Sequence, residues 1–111
     1  MGGHTLVSYT TLSYSWCVDS GLEFELDPAK ADANFRKHGV SFTTAVLVFA
    51  DPMVRITEDD RFGYGEIREV AMGAVEADVL VVVYVERVEN LIRIISARHA
   101  TPQERRRYAN D

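Results

Sequence analysis

Cysteine is nearly absent from this chain of 111 residues, in which Cys17 is the only one. A single thiol excludes an internal disulfide framework and fits a reducing compartment. No apolar run approaches the length of a membrane-spanning helix. The first twenty residues contain no Lys or Arg and lack the charged-then-apolar order of a secretory signal. We therefore expect a cytoplasmic protein that does not associate with a membrane.

Sequence motifs for cofactors and metals are also missing. His4, His38 and His99 are scattered, and one cysteine supplies no pair of zinc ligands. Gly63-Tyr64-Gly65 lacks the continuation and the preceding strand of a phosphate-binding loop. No serine nucleophile arrangement is apparent. The sequence therefore predicts no cofactor and no bound metal.

Positive charge is scarce overall but is concentrated near the C-terminus. The formal net charge of −5 argues against indiscriminate nucleic-acid binding. Residues 51–89 contain ten acids against four arginines, whereas residues 91–108 contain five arginines against one acid, Glu104. This asymmetry predicts a local positive patch suited to a polyanion such as RNA, with ordinary solvated charges as the alternative. The five arginines are Arg93, Arg98, Arg105, Arg106 and Arg107.

The first predicted elements are a short strand and two helices. Apolar and polar residues alternate over 22–26, which is the period of a strand. Asp27-Pro28 predicts a helix start, with Asp as the N-cap and Pro in the first helical position. Gly39 suits the left-handed position at the end of that helix. Ser41 then predicts the N-cap of a second helix, whose apolar stripe faces a core.

The remainder of the chain is predicted to be mostly sheet. The strand over 79–85 is apolar on both faces, so we expect it to be central. A capping box formed by Thr101 and Glu104 starts a last helix. Consecutive strands with short connections imply an α+β fold, with a mostly antiparallel sheet and helices gathered rather than interleaved. The strands are predicted over 54–57, 67–72, 79–85 and 91–99, with connections at 59–65, 73–78 and 86–90.

Residues 1–21 differ from the rest of the chain and form an N-terminal extension to a single domain over 22–111. Leu12, Tyr14, Trp16 and Val18 alternate with smaller polar residues, which predicts an extra edge strand. Nothing before Leu12 is patterned, which favours an ill-ordered extension instead.

The last predicted strand carries the strongest candidates for an anion site, Arg93 and Arg98. Their separation is odd, so an unbroken strand would place them on opposite faces. His99 would then share a face with Arg93. A bulge near Ser96-Ala97 would instead bring the two arginines to the same face.

Other candidate residues are scattered along the chain. Glu66 and Arg68 share a strand face, so they form either a surface pair or an arginine held ready for a phosphate. Lys37 and His38 end the first helix, where cations complement the helix dipole, with binding or catalysis as the alternative role. Among Arg105 to Arg107, at most two can face one site.

The chain resembles the BrnT toxin family, and the resemblance covers about residues 22–108. Lys37-His38-Gly39-Val40-Ser41-Phe42 and Ile94-Ile95-Ser96-Ala97-Arg98 are its most specific blocks. The resemblance implies a RelE-like α+β fold and a ribonuclease toxin of a type II toxin–antitoxin system that shuts down translation. It also implies neutralisation by a BrnA-type antitoxin, whose DNA-binding domain would let the complex repress its own operon. Further matching blocks lie at 24–30, 34–42, 45–46, 48–52, 66–68, 80–84, 93–98 and 104–108.

The sequence departs from the family pattern at several positions. Leu26 stands where Trp is usual, and Thr44 replaces an acidic residue. Val85 stands where Thr is common, and Leu91 occupies a position that is often Arg. Residues 1–21 precede the usual family start. Loss of a cation beside the RNA-binding face is expected to weaken catalysis.

The mechanism implied is that of a metal-independent endoribonuclease, in which the RNA 2′-hydroxyl attacks the adjacent phosphorus. Arg68, Arg93 and Arg98 are the candidates for binding phosphate and stabilising the developing charge. His38 or His99 is the candidate for proton transfer, because histidine titrates near neutrality. The secondary candidates for RNA binding are Lys37, Glu66, Arg105 and Tyr108.

Two other functions remain open from the sequence. The first is a catalytically impaired protein that only binds its antitoxin and acts as a corepressor, which the departures at Val85 and Leu91 favour. The second is direct DNA binding through Arg105–Arg107, against which the acidic balance of the chain counts. In the favoured interpretation, operator DNA is an indirect partner reached through the antitoxin.

Overall fold

A computed structural model describes residues 21–59 and 67–110, together with the backbone of residues 14–17. These residues form one six-stranded mixed sheet with three α-helices, which confirms the predicted α+β class. No helix among the described residues is long and apolar enough to cross a membrane. The elements are β1 (Tyr14–Cys17), β2 (Glu23–Leu26), α1 (Pro28–His38), α2 (Phe42–Val46), a 3-10 helix (Leu47–Ala50), β3 (Arg55–Asp59), β4 (Arg68–Val75), β5 (Asp78–Val88), β6 (Leu91–His99) and α3 (Pro102–Asn110).

The strands lie in the order β1-β2-β6-β5-β4-β3. Neighbouring strands are antiparallel, as predicted for most of the sheet, except that β2 runs parallel to β6. The predicted strand over 79–85 is central and its Val82 is fully buried. β1 is the edge strand beside β2, so residues 14–17 form an extra strand, whereas residues 1–13 and 18–20 lie outside the described part.

Local capping chemistry sets the ends of α1. The Asp27 side chain accepts a hydrogen bond of 3.0 Å from the Ala29 amide, and Pro28 follows in the first helical position. Gly39 adopts a left-handed conformation with φ of 75°, and its amide donates to the Phe35 carbonyl. These are the helix ends that the sequence predicts, because each depends only on residues close in the chain.

The second helix is shorter than its apolar stripe indicates. Ser41 caps α2 by accepting a bond from the Thr44 amide, and the chain tightens into the 3-10 helix after Val46. The stripe nevertheless packs as predicted, since Phe42, Ala45, Val46 and Phe49 are all buried.

The two faces of the sheet are covered by different helices. The inner face, which carries Ala71, Val82 and Ala97, packs with α2 and the 3-10 helix in the main core. The outer face, which carries Met72 and Val81, packs against Tyr108 of α3 in a smaller cluster.

Strand β4 extends further than the sequence predicts. The connection predicted over 73–78 is shorter in the structure, because β4 continues to Val75 and only Glu76, whose φ is 55°, and Ala77 form the turn. Gly73 is needed within the strand for a close approach rather than for a loop. A Cβ atom at this position would lie 2.9 Å from Cγ1 of Val48.

Candidate functional site

A bulge in β6 brings Arg93 and Arg98 to the same face of the sheet. The register of β6 against β5 shifts between Ile94 and Ser96, so that Ile95 is skipped. One inserted residue converts the odd separation of the arginines into an even one. Both side chains therefore lie on the outer face, and the bulge lies one residue before the position considered from sequence.

Charged residues form a row across the outer face of the sheet, and we call this set the charged row. Strand register places Arg68 on one side of Val85 and Arg93 on the other. Adjacent strands are about 4.8 Å apart, so these two arginines start about 10 Å from each other. The charged row consists of Asp59, Arg68, Arg93 and Glu25, on β3, β4, β6 and β2 in that order.

Glu25 holds Arg93 in place within the charged row. Nε of Arg93 donates to Oε1 of Glu25 at 3.2 Å, and the two side chains are only 29% and 22% exposed. Nη1 of Arg87 lies 3.9 Å from the same oxygen. Sequence alternation already placed Glu25 on the polar face of its strand. Nothing in the sequence, however, showed that this strand pairs with β6, so Glu25 was not predicted as the partner of Arg93.

Arg98 is bound differently, because it ties β6 to α3. Its Nη1 and Nη2 donate to Oε1 and Oε2 of Glu104 at 2.9 and 3.0 Å. Glu104 also accepts from the Thr101 amide at 2.9 Å, which completes the predicted capping box. The bond from Arg98 is the main reason that the pKa of Glu104 falls to about 2, below its ordinary 4.5. Arg98 therefore anchors a helix in addition to presenting positive charge.

Replacing Glu104 with Gln should lower the free energy of unfolding by about 1.5 kcal/mol at neutral pH, the lower end for a hydrogen bond to a charged group. Because the folded state lowers the pKa of this carboxyl to about 2, its contribution is complete above pH 4.5. The contribution declines as the pH falls toward 2. Urea unfolding of both proteins between pH 3 and 7 would show the difference shrinking with acid.

The control for that experiment is Asp32→Asn. Asp32 pairs with Arg36 one turn away on α1, and both side chains are more than half exposed. Such pairs contribute little to stability. A pH-dependent loss as large in Asp32→Asn as in Glu104→Gln would show that the acid sensitivity is not specific to the Arg98–Glu104 pair.

A second bond fixes α3 at its other end. The Tyr108 hydroxyl donates to Oδ2 of Asp51, which also accepts from the Ala74 amide at 2.8 Å. Burial raises the pKa of the Asp51 carboxyl, but the bonds from Tyr108 and from backbone amides outweigh this, so its pKa lies below the ordinary value. The same bond raises the pKa of Tyr108. Tyr108, a predicted RNA-binding residue, is thus engaged in holding α3.

The histidine at the end of β6 lies on the inner side of the sheet. His99 pairs with Leu80 of the inner core, and its Nδ1 lies 3.8 Å from Oδ2 of Asp78. An unbroken strand would have placed His99 on the face of Arg93, but the bulge, the alternative considered from sequence, places it on the opposite face. Arg105 of α3 also approaches Asp78, at 3.8 Å.

Lys37 and His38 lie in the last turn of α1, which packs against the inner core through Ala31 and is followed by the buried Val40. Their helix thus contacts the inner core, whereas the charged row lies on the outer face of the sheet. Glu66 lies outside the described residues, so its pairing with Arg68 stays a prediction. Within residues 21–59 and 67–110, no group of three or more His, Cys, Asp and Glu side chains is placed to hold a metal ion.

Comparisons with known proteins agree with this architecture. Residues 26–104 match the family model described as the ribonuclease toxin BrnT of type II toxin–antitoxin systems. The 1.1 Å crystal structure of the Brucella abortus ribonuclease toxin BrnT is similar in fold, with a TM-score of 0.55 and 19% sequence identity. That match covers 68% of this chain and 92% of the Brucella chain. None of the curated proteins compared matches the chain. Because the family model spans more than half of its length, the chain belongs to the BrnT family of type II ribonuclease toxins.

Proposed function

We propose that this chain is a metal-independent endoribonuclease that cleaves RNA and thereby inhibits translation, on a RelE-like fold. The observation that carries the proposal is the charged row, in which Arg68 and Arg93 flank Val85 on one face of the sheet. Two guanidinium groups at this spacing can bind one phosphate from both sides. A guanidinium keeps its charge at any physiological pH, which suits stabilisation of a phosphorane.

The reaction we propose is an internal transfer of the phosphodiester. The RNA 2′-hydroxyl loses its proton and attacks the adjacent phosphorus, and the bond to the 5′-oxygen breaks. The leaving oxygen takes up a proton, so that the products are a 2′,3′-cyclic phosphate and a free 5′-hydroxyl. Arg93 has five N–H donors, and the bond to Glu25 uses one of them, which leaves the terminal nitrogens for phosphate.

For proton transfer we favour the carboxylates of the charged row over the histidines. His99 lies on the inner side of the sheet, and His38 ends a helix that packs on the inner core, so neither shares the face of the charged row. Glu25 and Asp59 share the row with the two arginines, so their carboxylates are the groups placed to accept the proton. Arg98, Arg105 and Tyr108 then contribute mainly by holding α3 beside the row.

The purified chain is expected to cleave a defined RNA in the presence of EDTA and to leave 2′,3′-cyclic phosphate ends. Equimolar addition of a BrnA-type antitoxin, the partner we propose for this type II toxin, should stop both this cleavage and the inhibition of a cell-free translation reaction. A requirement for added divalent metal would contradict the metal-independent mechanism. Cleavage that the antitoxin does not block would point to a contaminating nuclease.

The second candidate is a catalytically impaired corepressor that retains only antitoxin binding. Val85 favours it, because this residue lies at the centre of the charged row, where Thr is common in the family. A valine side chain offers no hydroxyl to a bound phosphate. A folded chain that binds antitoxin tightly and cleaves no RNA would establish this function. In either case we propose that operator DNA is reached only through the antitoxin.

A further inference from the structure

A cavity of about 300 Å³ lies on the outer face of the sheet, beneath α3. Its floor is apolar and consists of Val70, Met72 and Val81. Thr57 and Arg55 of β3 form one wall, and Arg107 of α3 approaches from above, as part of the same lining. The volume is at the lower end for pockets that bind small molecules.

The cavity lies on the same face of the sheet as the charged row. Val70 is the next residue after Arg68 on the outer face of β4, because residues two apart on a strand share a face. The step is about 7 Å, so the floor of the cavity begins one step from an arginine of the charged row. A ligand bound at the row therefore reaches the cavity without crossing the sheet.

The lining fits a nucleotide better than a purely apolar ligand. A nucleobase has two flat faces that pack on apolar or aromatic groups, whereas its backbone carries a negative charge. Val70, Met72 and Val81 supply the flat apolar surface, and Arg55 and Arg107 place positive charge at the walls. The single carboxylate of the lining, Glu104, is bonded through both oxygens to Arg98.

We propose that this cavity is a nucleobase subsite, which holds one base of the RNA strand next to the phosphate bound at the charged row. Arg107 and Arg55 contact the backbone on either side of that base. This inference rests on the proposed ribonuclease function for the position of the phosphate. It predicts that α3 contributes to RNA recognition through Arg107 and through the roof that it forms.

The test uses short RNA oligonucleotides that carry 2′-O-methyl groups, which block the attacking oxygen and so permit binding to be measured alone. Fluorescence anisotropy should show about tenfold weaker binding to Thr57→Glu and to Arg107→Ala, in line with the loss of one stacked base. The matched controls are Ile56→Glu, on the opposite face of the same strand, and Arg106→Ala, the neighbouring exposed arginine. Both controls should bind within twofold of the wild type.

Oligonucleotides that lack one base in turn then show whether a base occupies the cavity. Removal of the base at one position should weaken binding to the wild type about tenfold and to Thr57→Glu less than twofold. If removal of that base weakens binding equally in Thr57→Glu and Ile56→Glu, the subsite is wrong. The subsite is also wrong if no position is sensitive to base removal, or if the wild type does not bind the oligonucleotides.

These experiments distinguish failure of the subsite from failure of the ribonuclease function. If ordinary RNA is cleaved and the cavity variants bind like their controls, the subsite is wrong and the ribonuclease function stands. If binding depends on the cavity but ordinary RNA is not cleaved by the folded chain, the subsite stands and the ribonuclease function is wrong.

Discussion

Arg93→Ala is expected to slow RNA cleavage about a hundredfold or more while the protein remains folded. That factor is typical for the removal of one donor that stabilises charge in a transition state. Arg93 lies in the charged row with Glu25 bound to its Nε, so its orientation is fixed before substrate arrives. The pair is partly exposed, and its loss should cost no more than about 1 kcal/mol of stability. Single-turnover cleavage with excess protein would measure the chemical step separately from binding.

Arg87→Ala is the matched control for this substitution. Arg87 approaches the same carboxylate at 3.9 Å but has a side chain that is 48% exposed and lies outside the row. We expect its rate of cleavage to remain within about threefold of the wild type, because weakly held surface charges contribute little. Arg93→Lys should recover only part of the rate, because an ammonium group cannot bind phosphate through two parallel donors.

Two results would contradict the assignment of Arg93. Equal cleavage by the wild type and Arg93→Ala would show that the charged row takes no part in the mechanism. An equal loss in Arg87→Ala and Arg93→Ala would show that total positive charge, rather than a positioned guanidinium group, governs the rate.

Arg98 illustrates how far sequence reasoning could go for the candidate site. Arg98 was a candidate from sequence, and a bulge near Ser96-Ala97 was one of two ways to place it relative to Arg93. The bulge at Ile95 has no glycine or other residue to mark it, so its position follows only from the pairing of β6 with β5. Glu104, the partner of Arg98, was also identified from sequence, but only as part of a capping box. Its second role depends on how α3 docks, which local sequence does not determine.

The same division holds for the fold. Helix ends at Pro28 and Gly39 follow from backbone chemistry within a few residues, and these were predictable. The parallel pairing of β2 with β6 joins segments almost seventy residues apart, as in the contact of Glu25 with Arg93. No turn connects such segments directly, so the turn chemistry that sets register in a hairpin is missing for this pair. The site therefore depends on the part of the fold that the sequence determines least directly.

Asn34 is a further residue whose role the sequence conceals, because a polar residue in a helix ordinarily faces solvent. It is 7% exposed. Its Nδ2 donates to the carbonyls of Val40 and Ala97, at 3.0 and 2.8 Å, and its Oδ1 accepts from the Ala97 amide at 3.1 Å. Strand β2 pairs with β6 only as far as Arg93. The carboxamide of Asn34 thus serves the backbone of β6 as a neighbouring strand would.

Asn34→Ala should lower the free energy of unfolding by about 3 kcal/mol or more. The substitution removes three hydrogen bonds and leaves a buried amide and buried carbonyls without that partner, each at a cost of about 1–3 kcal/mol. Asn110→Ala, the same change at an exposed position in the last turn of α3, should alter stability by less than about 0.5 kcal/mol. Urea unfolding monitored by circular dichroism would compare the two variants at neutral pH.

The size of the loss also distinguishes two explanations for the conformation of β6. If Asn34 completes the hydrogen bonding of β6 near the bulge, Asn34→Ala should lose about 3 kcal/mol or more of stability. Asn34→Asp should then be destabilised as well. The aspartate would retain an acceptor but lose both donated bonds and bury a charge. A loss below about 1 kcal/mol in Asn34→Ala would show instead that water replaces the carboxamide. In that case the pairing of β6 with β5 would be sufficient to hold Arg93 and Arg98 on one face.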